Sequence, residues 1–283
     1  MTSRRFTNSE FWILFVFFVF GLLAAPGVCQ EMLYPIAVAK SSDGLVYVAD
    51  RDLPGIWKVD KGVATVYFQG SKKYRTPLNA IRCLAIDSTG TLYAGDSATR
   101  EIYKFNSQAE PGPLTNGAIG IPMELDFDSQ ANLFVADLER HTIFQVKPDG
   151  VVSEFAQVQA PRGLAIDSLD RVWVLSSVGD SLVRFTPSKS KEVVITGTPF
   201  EFPNQLAVDE EFNAYVCDGY AHAIWRIAAG GEPKKISGGE PLVNPVGIII
   251  DGPRLLIADP RAKSIFLLGR DGGEKLLSFF PMK

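Results

Sequence analysis

Pro161-Arg162-Gly163-Leu164-Ala165-Ile166-Asp167, followed four residues later by Val172-Trp173-Val174-Leu175-Ser176, decides the fold. The pair of runs recurs along the whole chain. The first run returns as Pro35-Ile36-Ala37-Val38-Ala39, Ile81-Arg82-Cys83-Leu84-Ala85-Ile86-Asp87 and Pro122-Met123-Glu124-Leu125-Asp126-Phe127-Asp128. It returns again as Pro203-Asn204-Gln205-Leu206-Ala207-Val208-Asp209 and Pro245-Val246-Gly247-Ile248-Ile249-Ile250-Asp251. The second run closes on Asp50, Asp96, Asp137, Ser176, Asp218 and Asp259, at intervals of 46, 41, 39, 42 and 41 residues. Six residues beyond each of these stands an aliphatic side chain: Ile56, Ile102, Ile143, Leu182, Ile224 and Ile265. Agreement at two registers in six segments marks a true internal repeat.

Each repeat holds four short strand-like runs parted by turn residues. In the fourth these are Gly163–Ile166, Val172–Leu175, Leu182–Phe185 and Glu192–Ile195, with Ser168-Leu169-Asp170 and Pro187-Ser188 between them. One such sheet cannot bury both faces alone. Set radially, each packs on two neighbours and a continuous core results. The expected fold is therefore all-β: a six-bladed β-propeller of four-stranded antiparallel blades, forming one domain over residues 31–283. Blade 1 starts at Pro35 and blade 6 ends near Phe280, so the last blade needs no strand borrowed from the N-terminus.

The pattern Pro-x-Gly-φ-Ala-φ-Asp, then φ-Val-Ala-Asp-x-x-x-His-x-Ile, resembles the NHL repeat, most closely in Pro161–Asp167 and Val135–Ile143. The resemblance covers nearly the whole chain after residue 30. It implies a propeller related in architecture to the senescence-marker/gluconolactonase family and to the strictosidine synthase fold. It implies no single activity, because chemistry on such folds lives in grafted sites.

The first thirty residues precede the repeats. Arg4 and Arg5 lead into an apolar run from Phe11 to Ala25, broken by Pro26-Gly27. That is the layout of a secretory signal peptide, which makes residues 1–30 an export segment and the protein secreted or periplasmic. An uncleaved signal anchor is the main rival, because Phe11 to Val28 could span a bilayer if extended. It would make this segment the only membrane contact. Lipidation at Cys29 fits poorly, because Pro26-Gly27-Val28 lacks the usual lipoprotein pattern.

A net charge of −4 over 283 residues offers no basic footprint for nucleic acid. Three cysteines make no disulfide framework. Cys83 and Cys217 fall in blades on opposite sides of the ring, so both are expected as buried thiols. No nucleophile elbow, phosphate loop or zinc-protease motif is present. His141 and His222, the only histidines, stand four residues after their marker aspartates in non-adjacent blades. They cannot match the three-His zinc site of propeller lyases, and a structural or surface role is expected. The marker aspartates read as strand-end acceptors for loop N–H groups, with Ser176 doing the same more weakly. No metal and no cofactor are expected.

The informative positions begin each inner strand, around one mouth of the central channel: Ile36/Ala37, Arg82/Cys83, Met123/Glu124, Arg162/Gly163, Asn204/Gln205 and Val246/Gly247. The gluconolactonase resemblance implies a divalent-metal site here, from an Asn, an Asp and an N-terminal Glu. Asn204 matches the Asn, but Val246 replaces the Asp and Leu33-Tyr34-Pro35-Ile36 lacks the Glu. Arg82, Glu124, Arg162 and Asn204 are the candidate ligand-binding residues. They suit a small anionic or polyhydroxylated ligand, because guanidinium groups pair well with carboxylate or phosphate. The competing expectation is a closed plug in which Glu124 neutralises one or both arginines. Two functions follow: a binding or scaffold module for such a ligand or for a protein partner, or a gluconolactonase-like hydrolase with a degenerate metal site.

Overall fold

A computed structural model of the chain describes residues 31–272 and 277–278. The proposed export segment, residues 1–30, lies outside the described residues, as does part of the C-terminal end. The described residues form six four-stranded antiparallel sheets, each with its strands in simple chain order. Blade 1 is Pro35–Lys40, Val46–Asp50, Gly55–Asp60 and Val63–Gln69. The other five blades run over residues 81–113, 122–157, 161–195, 203–238 and 247–278. The first strand of each blade contacts the first strand of the next, and the ring closes between blades 1 and 6. Blade 6 takes all four of its strands from its own repeat, ending in Leu277–Ser278.

Alternating side chains explain the packing. Second strands such as Val46–Asp50 and Leu133–Asp137 are buried at every position, because both faces meet neighbouring blades. The fourth strand of blade 1, Val63–Gln69, lies at the rim and is exposed or half-buried throughout. Ring closure is an apolar wedge. Met32 is buried with Val48 and Trp57 of blade 1 and with Leu256, Ala258 and Ile265 of blade 6.

Side-chain carboxylates clamp both ends of the blades. At the mouth end, Asp50 accepts the Leu33, Tyr34, Asp52 and Leu53 N–H groups and the Trp57 indole N–H, at 2.7–3.1 Å. Asp137 accepts four N–H groups in the same way, from Gly120, Ile121, Glu139 and Arg140. At the far end, Asp167 accepts Leu169 N–H, Arg171 N–H and the Trp173 indole. Asp209 accepts Glu211 N–H, Asn213 N–H and the Tyr215 hydroxyl.

These far-end carboxylates give the fold an acid limit. Burial pushes the Asp167 and Asp209 carboxyls up, but their hydrogen bonds outweigh it and hold both below the ordinary value. A carboxyl lowered on folding stabilises fully above its unfolded pKa of about 3.9. The stabilisation is lost as pH falls through the lower folded value. Melting temperature should therefore fall steeply below about pH 4. Asp209→Asn should start lower at neutral pH and lose less on acidification, which a pH series of thermal melts checks.

Candidate functional site

The inner strands begin with a bulge, and the bulge builds the mouth. Register skips one residue between Pro35 and Ala37, Ile81 and Cys83, Pro122 and Glu124, and Pro161 and Gly163. In blade 5 the skip spans Pro203 to Leu206. The residue left out of the ladder is re-aimed by the local kink. These residues are Ile36, Arg82, Met123, Arg162 and Asn204, and all of them line one cavity with Val246. The cavity has a volume of about 240 Å³. All four sequence-selected residues, Arg82, Glu124, Arg162 and Asn204, border it.

Loops complete the wall. Arg51, directly after marker Asp50, lies over the Tyr34 ring at 3.9 Å. Arg162 lies over the Phe202 ring at 4.5 Å, and Phe202 stacks on exposed Tyr220 at 4.6 Å. Asn204 donates its amide N–H to Phe202 O at 3.1 Å. Asn244 also lines the wall. Arg51, Tyr34, Phe202 and Asn244 were not selected from the sequence, although they too hold repeat positions: Tyr34, Phe202 and Asn244 each precede the leading Pro, and Arg51 follows its marker.

Three guanidinium groups thus share this cavity, and among the described residues none forms an ion pair. Arg82 donates through Nε to Ser97 Oγ at 3.1 Å. Arg162 Nε is buried with no hydrogen-bond partner. Burial first, and then the Arg82 charge, lower the Arg162 pKa. With Arg51 these two arginines make the charged lining mainly cationic, Glu124 being its one carboxyl.

The plug expectation needs correction. Glu124 forms no hydrogen bond or ion pair with either arginine; its Oε2 accepts the Gln205 amide instead. Gln205 Oε1 in turn accepts Ile248 N–H at 2.6 Å, which fixes the amide with its NH2 toward Glu124. The link joins blades 3, 5 and 6 across blade 4. Blade 4 contributes Gly163 at the matching position, where a Cβ would lie 3.0 Å from Gln205 Cα and 2.9 Å from Leu206 N. Glycine therefore permits the close approach of blade 5 at this point.

The Glu124–Gln205 link is the floor of the mouth. Both residues also line a second cavity of about 240 Å³ on the far side. That compartment contains the Lys40–Asp251 ion pair at its rim and Asp126, which burial raises to about 6. Asp126 accepts Phe127 N–H at 2.8 Å and Ile166 N–H at 2.7 Å.

The other candidates fall outside the site. His141 and His222 adopt positive φ of 54° and 49° in the turn after the second strand, as do Arg100 and Lys263 at the same repeat position. His141 Nδ1 accepts Ala160 N–H at 3.0 Å. Cys83 and Cys217 are free and buried. Among the described residues, no three His, Cys, Asp or Glu side chains converge on a point that could hold a metal ion.

No protein-family model matches the chain, and no curated protein matches it. Solved structures do. Virginiamycin B lyase from Staphylococcus aureus is 17% identical, with TM-score 0.68 over 90% of this chain and 86% of that one. A gluconolactonase from Xanthomonas campestris is 14% identical, with TM-score 0.71 over 84% of this chain and 86% of that one. A chain of a nidogen–laminin complex is 18% identical, with TM-score 0.70 over 81% of this chain and 91% of that one. The six-bladed fold is shared with lyases, lactonases and binding modules alike. At such identities the likeness establishes architecture and leaves the chemistry to the residues of the mouth.

Proposed function

We propose that this chain is a binding module, acting outside the cytoplasm, whose mouth takes a small anionic ligand. One observation carries the reading: Arg51, Arg82 and Arg162 line a single cavity without an ion-pair partner among the described residues. The only carboxyl in that lining, Glu124, is buried and engaged with Gln205. An oxyanion in the cavity offsets the Arg82–Arg162 repulsion and accepts from the guanidinium N–H groups that face it. Asn204 and Asn244 add neutral polar groups that suit hydroxyls on the same ligand. The location is supported by the charged-then-apolar layout of residues 1–30.

A gluconolactonase-like hydrolase is the second reading, favoured by the presence of Asn204 and Glu124 in one mouth. Against it stand Val246 in place of a carboxylate, the Gln205 bond on Glu124, and the three arginines that would repel a cation.

A thermal-shift experiment separates the two. Sulfate and benzoate should raise the melting temperature in a concentration-dependent manner, by about 2.7 kcal/mol of stability at a hundredfold excess over Kd. Glucose tests a neutral polyhydroxylated ligand, and calcium chloride tests the hydrolase. Tight calcium binding with no response to the oxyanions would replace the first reading by the second.

A further inference from the structure

Glu124 stands where an anion-binding cavity should tolerate no negative charge. It is 4% exposed and lines both channel compartments, sharing the mouth with the arginines. Its Oε1 accepts Leu125 N–H at 3.1 Å and its Oε2 accepts the Gln205 amide. Among the described residues, no cationic side chain forms a hydrogen bond or ion pair with either oxygen. Two neutral donors satisfy part of a carboxylate's demand, but they do not balance a buried charge.

We infer that anion binding in the mouth is coupled to protonation of Glu124, which makes Glu124 a specificity-determining residue of the site. The inference rests on the anion reading above. An anion held by Arg82 and Arg162 lies over Glu124, and an ionised Glu124 would repel it from below. Ligand binding and Glu124 ionisation therefore oppose each other, and the opposition is reciprocal.

The surroundings favour the protonated form. Burial is the largest influence on the Glu124 carboxyl and pushes it well above the ordinary range. Leu125 N–H and the Gln205 amide pull it back, while Asp126 on the same strand adds to the rise. Blade 2 presents Arg82 and the buried Cys83 thiol, and blade 4 presents Arg162. Blade 5 presents the uncharged Phe202, Asn204 and Gln205, blade 6 presents Asn244, and blade 1 presents Arg51 and Tyr34. In the far compartment, Lys40 is spent on Asp251. No arginine is among the influences on the Glu124 carboxyl, so burial and Asp126 set the rise.

The direction is fixed by this arrangement. Affinity is greatest below the folded pKa of Glu124. It falls as pH rises through that value, by up to about tenfold per pH unit for one linked proton. Isothermal titration of the full chain with sulfate and with benzoate, from about pH 5 to about pH 9, measures it. Neither probe titrates in that window, and neither do arginine or asparagine.

Wild-type Kd should rise with pH, and paired buffers of different ionisation enthalpy should report proton uptake on binding. Glu124→Gln should bind at all pH values with a flat profile. Asp126→Asn should keep the slope, which separates Glu124 from its neighbour. A pH-independent wild-type Kd without proton uptake overturns the inference while leaving the anion reading intact. The same follows if Glu124→Gln keeps the wild-type slope. Failure of both probes to bind the wild type at any pH overturns the anion reading itself, and the inference with it. The wild-type proton count decides the matter even if the glutamine variant does not fold.

Discussion

Replacing both Arg82 and Arg162 with alanine is expected to abolish binding of sulfate and benzoate at concentrations that saturate the wild type. Each charge-assisted hydrogen bond contributes about 1.5–3 kcal/mol, so losing both arginines weakens binding by roughly two to four orders of magnitude. The cost to the fold should be small. Arg162 stacks on Phe202, a contact worth about 0.5–1 kcal/mol, but its Nε has no partner and the Arg82 charge disfavours it. Removing the pair relieves that repulsion. Glu124 is not stranded either, because its partner is Gln205. The opposite outcome, a large loss of stability with binding intact, would mean that the arginines are structural and that the anion sits elsewhere. Titration calorimetry beside thermal melts distinguishes the two outcomes.

The arginines could be selected from sequence because the repeat places them. A period of about 40 residues with two registers fixes where each inner strand starts, and the residue after the leading Pro or Ile is the bulged one. The bulge itself was not legible, yet it is the reason these side chains face the mouth. The partner of Glu124 was also missed. Local charge suggested an arginine, whereas the glycine at position 163 opens a path across blade 4 to Gln205. That contact joins residues 81 positions apart, and no periodic signal encodes it. Arg51 and Tyr34 were missed for another reason: they stand one residue outside the strands, beside Asp50 and Pro35, and only the fold brings their side chains to the mouth.

The marker positions carry the largest expected effect on the fold itself, and they separate blade 4 from the rest. Asp50 is fully buried and gathers five donors, including the Trp57 indole, across the seam where the ring closes. Asp50→Ala leaves several buried N–H groups without an acceptor at about 1–3 kcal/mol each, and water can reclaim only part of that. A loss of roughly 3–5 kcal/mol is expected, enough to unfold a marginally stable protein. Repeat averaging would suggest that Ser176, the odd marker, gains from replacement by aspartate. The local geometry says the reverse. The Ser176 hydroxyl accepts Val178 N–H at 3.1 Å, but it also lies 2.7 Å from the carbonyl oxygens of Gln159 and Val178. The blade 4 loops present acceptors where the Asp50 loops present donors, so serine fits because it can donate. An aspartate there would set a buried carboxylate against two carbonyls. Ser176→Asp should therefore destabilise by more than Ser176→Ala, whose cost is about 1 kcal/mol for the lost hydrogen bond. Chemical denaturation of the three variants orders them, with Asp50→Ala and Ser176→Asp both well below wild type. A stabilising Ser176→Asp would show that blade 4 rearranges its loops to present N–H groups, and that the marker position dictates the loop rather than following it.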